Sequence, residues 1–239
     1  LSGLDTSNMT SMSRMFYNST SLTNIDLSGF DTSKVVNMSH IFDGCSNLEN
    51  VDLSNFNTSN VINMEGVFQN DTNLKEIKLG DNFKTNKVTT MLAMFASCSS
   101  LKRVDLSNFD TSNVLYMGNP YNYSYGGMFR NCSSLKELNV SSFNTSKVKY
   151  MSNMFQGCSS LTTLDLSNFN TSNVTAMASM FDSCSSLVSI NVSNFDVSSV
   201  TDMLFMFQNC KSLLNLDLSS FKESKVITTR QMFYGCNSL

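Results

Sequence analysis

A unit of 26 residues recurs along almost the whole chain, and this periodicity limits the fold more tightly than any other feature. The segment SLTNIDLSGFDTSKVVNMSHIFDGCS from Ser21 and the segment SLTTLDLSNFNTSNVTAMASMFDSCS from Ser160 show how closely the copies agree. Units start at Leu22, Leu48, Leu74, Leu101, Leu135, Leu161, Leu187 and Leu213, and Leu239 opens a further one. The step is 26 residues, except 27 from Leu74 to Leu101 and 34 from Leu101 to Leu135. A unit this short cannot bury its own apolar face, so copies must stack and share a continuous core.

Within a unit, Leu22, Ile25 and Leu27 suit a short strand, with Ile25 and Leu27 on one face by alternation. The SGFDTS stretch has turn chemistry, because Asp or Asn side chains bond backbone two residues on. Val35 to Met38 reads as a second extended piece, and SHIFDGCS as a tight helical or 3-10 turn. Parallel pairing would set neighbours about 4.8 Å apart, so about nine units make a rod of roughly 43 Å. The expected fold is therefore a β-rich solenoid with a parallel β-sheet. Residues 1–239 form one repeat domain that begins and ends mid-repeat, as a fragment of a longer chain would.

Stacking turns equivalent positions into ladders, where like charges on adjacent rungs repel by about 3 kcal/mol at an effective dielectric of 20. One such ladder runs Asn8, Lys34, Asn60, Lys87, Asn113, Lys147, Asn173, Ser199, Lys225, and no two lysines are adjacent in it. Another, starting Asp26, Asp52, Lys78, Asp105, has a single adjacent acidic pair. The core ladders are apolar: Phe42 through Phe233, Val35 through Val226, and Met38 through Met203. Methionine fills irregular gaps in such a core, which favours packing over a copper or peptide site.

A net charge of −3 with only 15% charged residues argues against nucleic acid, which needs a basic stripe. No apolar run approaches the roughly 20 residues that span a bilayer, so no membrane insertion is expected within this segment.

The units LDLSNFNTSNVTAMASMFDSCSSL and VDLSNFDTSNVLYMGNPYNYSYGGMFRNCSSL resemble the BspA-like leucine-rich-repeat surface proteins, and more closely the 26-residue bacterial surface-protein repeat. The resemblance covers essentially the whole chain. It implies a leucine-rich-repeat-like right-handed superhelix in a secreted or membrane-anchored surface protein, extracellular, cell-surface anchored and of lipoprotein or adhesin type; binding to a host extracellular protein or glycan is the role expected on that analogy. It supplies no catalytic, cofactor or metal motif, and no enzyme activity is expected.

Several residue types in the repeat could carry chemistry. Cys45, Cys98, Cys132, Cys158, Cys184, Cys210 and Cys236 share one repeat position, which Ser19 and Asp71 take elsewhere. An odd number excludes a complete disulfide set, and parallel side chains suit the bond geometry poorly, so free buried thiols acting as small apolar residues are expected. His40 stands alone and reads as surface decoration. The Asp columns lack the convergent oxygens that calcium needs. The Thr column (Thr32, Thr58, Thr85, Thr111, Thr145, Thr171) reads as turn hydrogen bonding.

One segment breaks the pattern. Eight residues are inserted between Met117 and Phe129, forming a Tyr-rich loop at 118–125 with Tyr121, Tyr123 and Tyr125. Insertions in repeat proteins map to loops on one face, and tyrosine offers large contact area at low entropy cost. Tyr116 and Tyr150 share a repeat position and should be neighbours at the loop's base. These five tyrosines are the candidate ligand contacts; a mildly basic stretch (Lys75, Lys78, Lys84, Lys87, Lys102, Arg103) is the second candidate. A structural spacer with no ligand of its own is the alternative function.

Overall fold

The computed structural model describes residues 3–119, 126–222 and 225–239. Residues one repeat apart in sequence touch in space. Strand β1 (Asn50–Leu53) pairs in parallel with β2 (Glu76–Leu79), Val51 opposite Ile77 and Leu53 opposite Leu79. Strand β3 (Thr163–Asp165) pairs likewise with β4 (Ser189–Asn191), Leu164 opposite Ile190. The second extended piece makes a longer ladder of single parallel bridges: Ser11, Asn37, Asn63, Thr90, Tyr116, Tyr150, Ala176, Asp202 and Thr228, each joined to the next. The architecture is a repeat solenoid.

Its centre is a column of phenylalanines. Adjacent rings from Phe16 through Phe42, Phe68, Phe95, Phe129, Phe155, Phe181 and Phe207 to Phe233 stack with centroids 5.3–5.9 Å apart. A second aromatic column, which the sequence reading did not single out as core, pairs Phe30 with Phe56, Phe83 with Phe109 and Phe195 with Phe221. Valines, methionines and cysteines fill the space between, and nearly all are fully buried. Each ring so buried contributes about 1.5–3 kcal/mol by its apolar area alone.

The expected helical or 3-10 turn is corrected by the structure: no helix occurs among the described residues. From Met38 to Gly44 every second N–H donates to the next unit, to the carbonyls of Asn63, Glu65, Val67 and Gln69 at 2.8–3.0 Å. The groups between them bond within the unit, as Asp43 N–H does to the His40 carbonyl at 3.3 Å. Half the backbone donors are thus spent between units, and a helix cannot propagate. The alternation also drives His40 to φ 55° and Gly44 to φ 80°, with Asn153, Ser179 and Phe205 left-handed at the position His40 occupies. Left-handed backbone costs a non-glycine residue on the order of 1 kcal/mol, which the inter-unit bonds offset.

The threonine column is corrected in the same sense. Thr145 Oγ1 donates to the Asn170 carbonyl at 2.9 Å and accepts the Asn170 N–H at 2.8 Å, one unit on. Thr32, Thr85, Thr111 and Thr171 repeat the pair of bonds with Asn57, Asp110, Asn144 and Asp196. These hydroxyls are buried and fasten units to each other, while the turn itself is held by the residue before, as where Asp31 Oδ1 accepts the Ser33 N–H at 2.9 Å.

Candidate binding surface

The ladder from Ser11 to Thr228 presents one outward side chain per unit, mostly small or polar. Tyr116 and Tyr150 are its aromatic members, and their rings stack 5.7 Å apart at 11°. Both are half-buried. The step between them is the one with the insertion, yet it keeps the ladder intact: Met117 and Gly118 donate to the Tyr150 carbonyl at 3.3 and 2.9 Å. Met128 N–H closes the loop's base on the Met117 carbonyl at 2.9 Å. Glycine is required at this pinch. A Cβ on Gly118 would lie 2.3 Å from the Ser152 carbonyl oxygen, and one on Gly127 would lie 1.8 Å from that of Asn153. The described residues on either side of the insertion are therefore tied closely to the next unit, next to the stacked Tyr116–Tyr150 pair. Tyr121, Tyr123 and Tyr125 lie outside the described residues.

Next to this ladder runs a partly apolar stripe, with Val36 and Ile62 about two-fifths exposed and Leu115 half-buried. Leu115 of this stripe lies next to Tyr116 in the chain, so the tyrosine pair adjoins one further apolar side chain.

The basic stretch does not form a patch. Lys75 pairs with Glu49 and Lys78 with Asp52, each at 2.8 Å. Lys87 donates to Asn60 at 2.8 Å. Lys34 and Lys147 reach Asn8 and Asn113 in the same way, which is how the alternating columns are satisfied. Lys78, with Ser54, holds the Asp52 carboxyl down to about 2. A shallow depression of about 530 Å³ opens beside Lys75 and Arg103, but Glu76, Asp105 and Glu137 line it as well.

Other candidates are placed as follows. His40 Nδ1 lies 3.0 Å from Asp43 Oδ2, and its Nε2 lies 3.8 Å from Glu65. All seven cysteines are free, six of them buried. Burial pushes the Cys45 thiol up to about 12, and those of Cys98, Cys132, Cys158 and Cys184 well above the ordinary range. They are more than small apolar residues, because each Sγ–H reaches a phenylalanine carbonyl of the preceding unit, as Cys158 does to Phe129 at 3.2 Å. Sequence reasoning missed this bond, and it missed Asp71, which occupies the cysteine position with no exposure at all. Among the described residues no group of three or more His, Cys, Asp or Glu side chains converges to hold a metal ion. No helix among them is long and apolar enough to cross a membrane.

No curated protein matches the sequence. Solved structures do. The T. pallidum leucine-rich repeat protein TpLRR is 21% identical, with 80% of this chain and 75% of that one covered and a TM-score of 0.48. A leucine-rich repeat protein from Bacteroides ovatus is 17% identical over 85% of this chain and 61% of its own, with a TM-score of 0.39. A leucine-rich cell surface protein from Faecalibacterium prausnitzii is 18% identical over 89% and 71%, with a TM-score of 0.34. One family model matches residues 1–81, 50–127 and 123–239, and so spans the chain. The chain belongs to that family, described as Mycoplasma protein of unknown function, DUF285, which bears out the bacterial repeat family that its units resemble.

Proposed function

We propose that this chain is part of a bacterial cell-surface protein whose units, wound as a right-handed superhelix of about nine turns, serve as a rigid platform for a host extracellular protein or glycan. Contact centres on Tyr116 and Tyr150, and Tyr121, Tyr123 and Tyr125 of the insertion are the further contact residues of this reading. The observation that carries this reading is the stacked Tyr116–Tyr150 pair on an otherwise small or polar outward ladder. Paired rings with polar tips give area and hydrogen bonding at little entropic cost, as in other recognition surfaces rich in tyrosine. The cell-surface description of the Faecalibacterium prausnitzii protein supports the location.

The test is binding to immobilised host matrix proteins and to a glycan array by the chain and by a Tyr116→Ser/Tyr150→Ser variant. Binding lost by at least tenfold with an unchanged melting midpoint supports the platform. Equal binding by both forms removes the tyrosines from it. The continuous phenylalanine column favours a second reading, a stiff spacer, for which no partner is retained from either panel.

A further inference from the structure

Seven cysteines donate to seven phenylalanine carbonyls in the preceding unit: Cys45 to Phe16, Cys98 to Phe68, Cys132 to Phe95, Cys158 to Phe129, Cys184 to Phe155, Cys210 to Phe181 and Cys236 to Phe207, at 3.0–3.2 Å. In that series the carbonyl of Phe42 has no thiol, because the residue at its donor position is Asp71. Asp71 is wholly buried. Its Oδ1 accepts the Cys45 N–H at 2.8 Å, whereas its Oδ2 has no partner and no access to water. An ionised carboxylate only accepts, and a buried charge without a counter-charge is strongly disfavoured.

We propose that Asp71 is a neutral carboxylic acid at neutral pH, its Oδ2–H replacing the thiol as donor to the Phe42 carbonyl, so that the junction between the units starting at Leu22 and Leu48 holds a structural proton. The surroundings agree. From the preceding unit Asp43 and Cys45 face Asp71, and from the following unit Cys98 does; none is cationic. His40, in the preceding unit, is bonded to Asp43, which also accepts from Asn70 at 3.0 Å. Burial first, and the Asp43 charge second among the groups that raise it, push the Asp71 carboxyl up to about 8, against the pull of the Cys45 and Gly44 N–H groups. Near and above that pH the proton leaves, a buried charge is created beside Asp43, and this junction loosens before the others.

The experiment is infrared spectroscopy of the whole chain at pH 7, with thermal melts from pH 4 to 9, on the wild type, Asp71→Asn and Asp71→Cys. A protonated-carboxyl band present in the wild type and lost in Asp71→Asn is the expected result. The wild-type melting midpoint should fall as pH rises relative to both variants. A wild type without the band, a band that survives the substitution, or melting curves of equal pH slope in all three overturns the proposal. If Asp71→Asn does not fold, Asp71→Cys, which restores the residue of the other units, serves as the reference.

Discussion

The ring of Phe155 lies 5.7 Å from that of Phe181 and within 5° of parallel, although 26 residues of chain separate them. Every ladder in the molecule follows from that relationship. Phe155→Ala removes a fully buried ring from a column whose neighbours are held by their own units and cannot collapse into the gap. The expected loss is about 3–5 kcal/mol in urea denaturation. A loss below about 1 kcal/mol would mean that the ring is not confined on both sides.

Thr145→Val keeps the shape of a buried side chain and deletes both bonds to Asn170. Leaving that N–H and carbonyl short of partners should cost about 1–3 kcal/mol, and Thr145→Ser should recover most of it. Equal stability of Thr145→Val and the wild type would return the hydroxyl to a local turn role.

These two predictions differ in how far the sequence foretold them. The Phe42–Phe233 column, the Tyr116–Tyr150 contact and the lysine–asparagine alternation need only the repeat period, since equal steps bring equal positions together. The Thr145 bonds and the absence of helical turns need the direction of each N–H. Periodicity carries no such information: nothing about Phe205 as a residue type announces left-handed backbone. The eight-residue insertion is plain in the sequence, but the close backbone approach at Gly118 and Gly127 on either side of it is not. In the sequence Asp71 is only a residue that takes the cysteine position, and its burial and orphaned oxygen reveal its chemistry.

The Asp71 carboxyl sets the sign of the pH dependence. Its folded value of about 8 exceeds the ordinary 3.8, so the folded chain holds a proton that the unfolded chain releases. Stability from this group is greatest below pH 4 and falls steadily towards pH 8, by on the order of 4 kcal/mol at pH 7. Other carboxyls act oppositely: Asp31, whose value is lowered by the Ser33 hydroxyl and N–H, favours the folded state at higher pH. The difference between wild type and Asp71→Asn isolates the first effect, and it should widen from pH 4 to 8. A difference independent of pH would place the ionised form in the fold.

Buried thiols should be inert. Because burial raises them, almost no thiolate exists at pH 8 for a disulfide reagent to meet. In the folded chain Cys236, the one half-exposed member, should react first, and all seven should react in denaturant. Rapid reaction of Cys132 or Cys158 in the native state would contradict the packing of the column.

The stack itself is tested by distances between spin labels placed in pairs on the outward ladder, at Asn37 with Asn63, Thr90, Ala176 or Asp202. An in-register solenoid predicts a separation that grows by about 4.8 Å per unit, reaching about 29 Å between Asn37 and Asp202. A separation that levels off or shrinks as more units intervene would contradict the account.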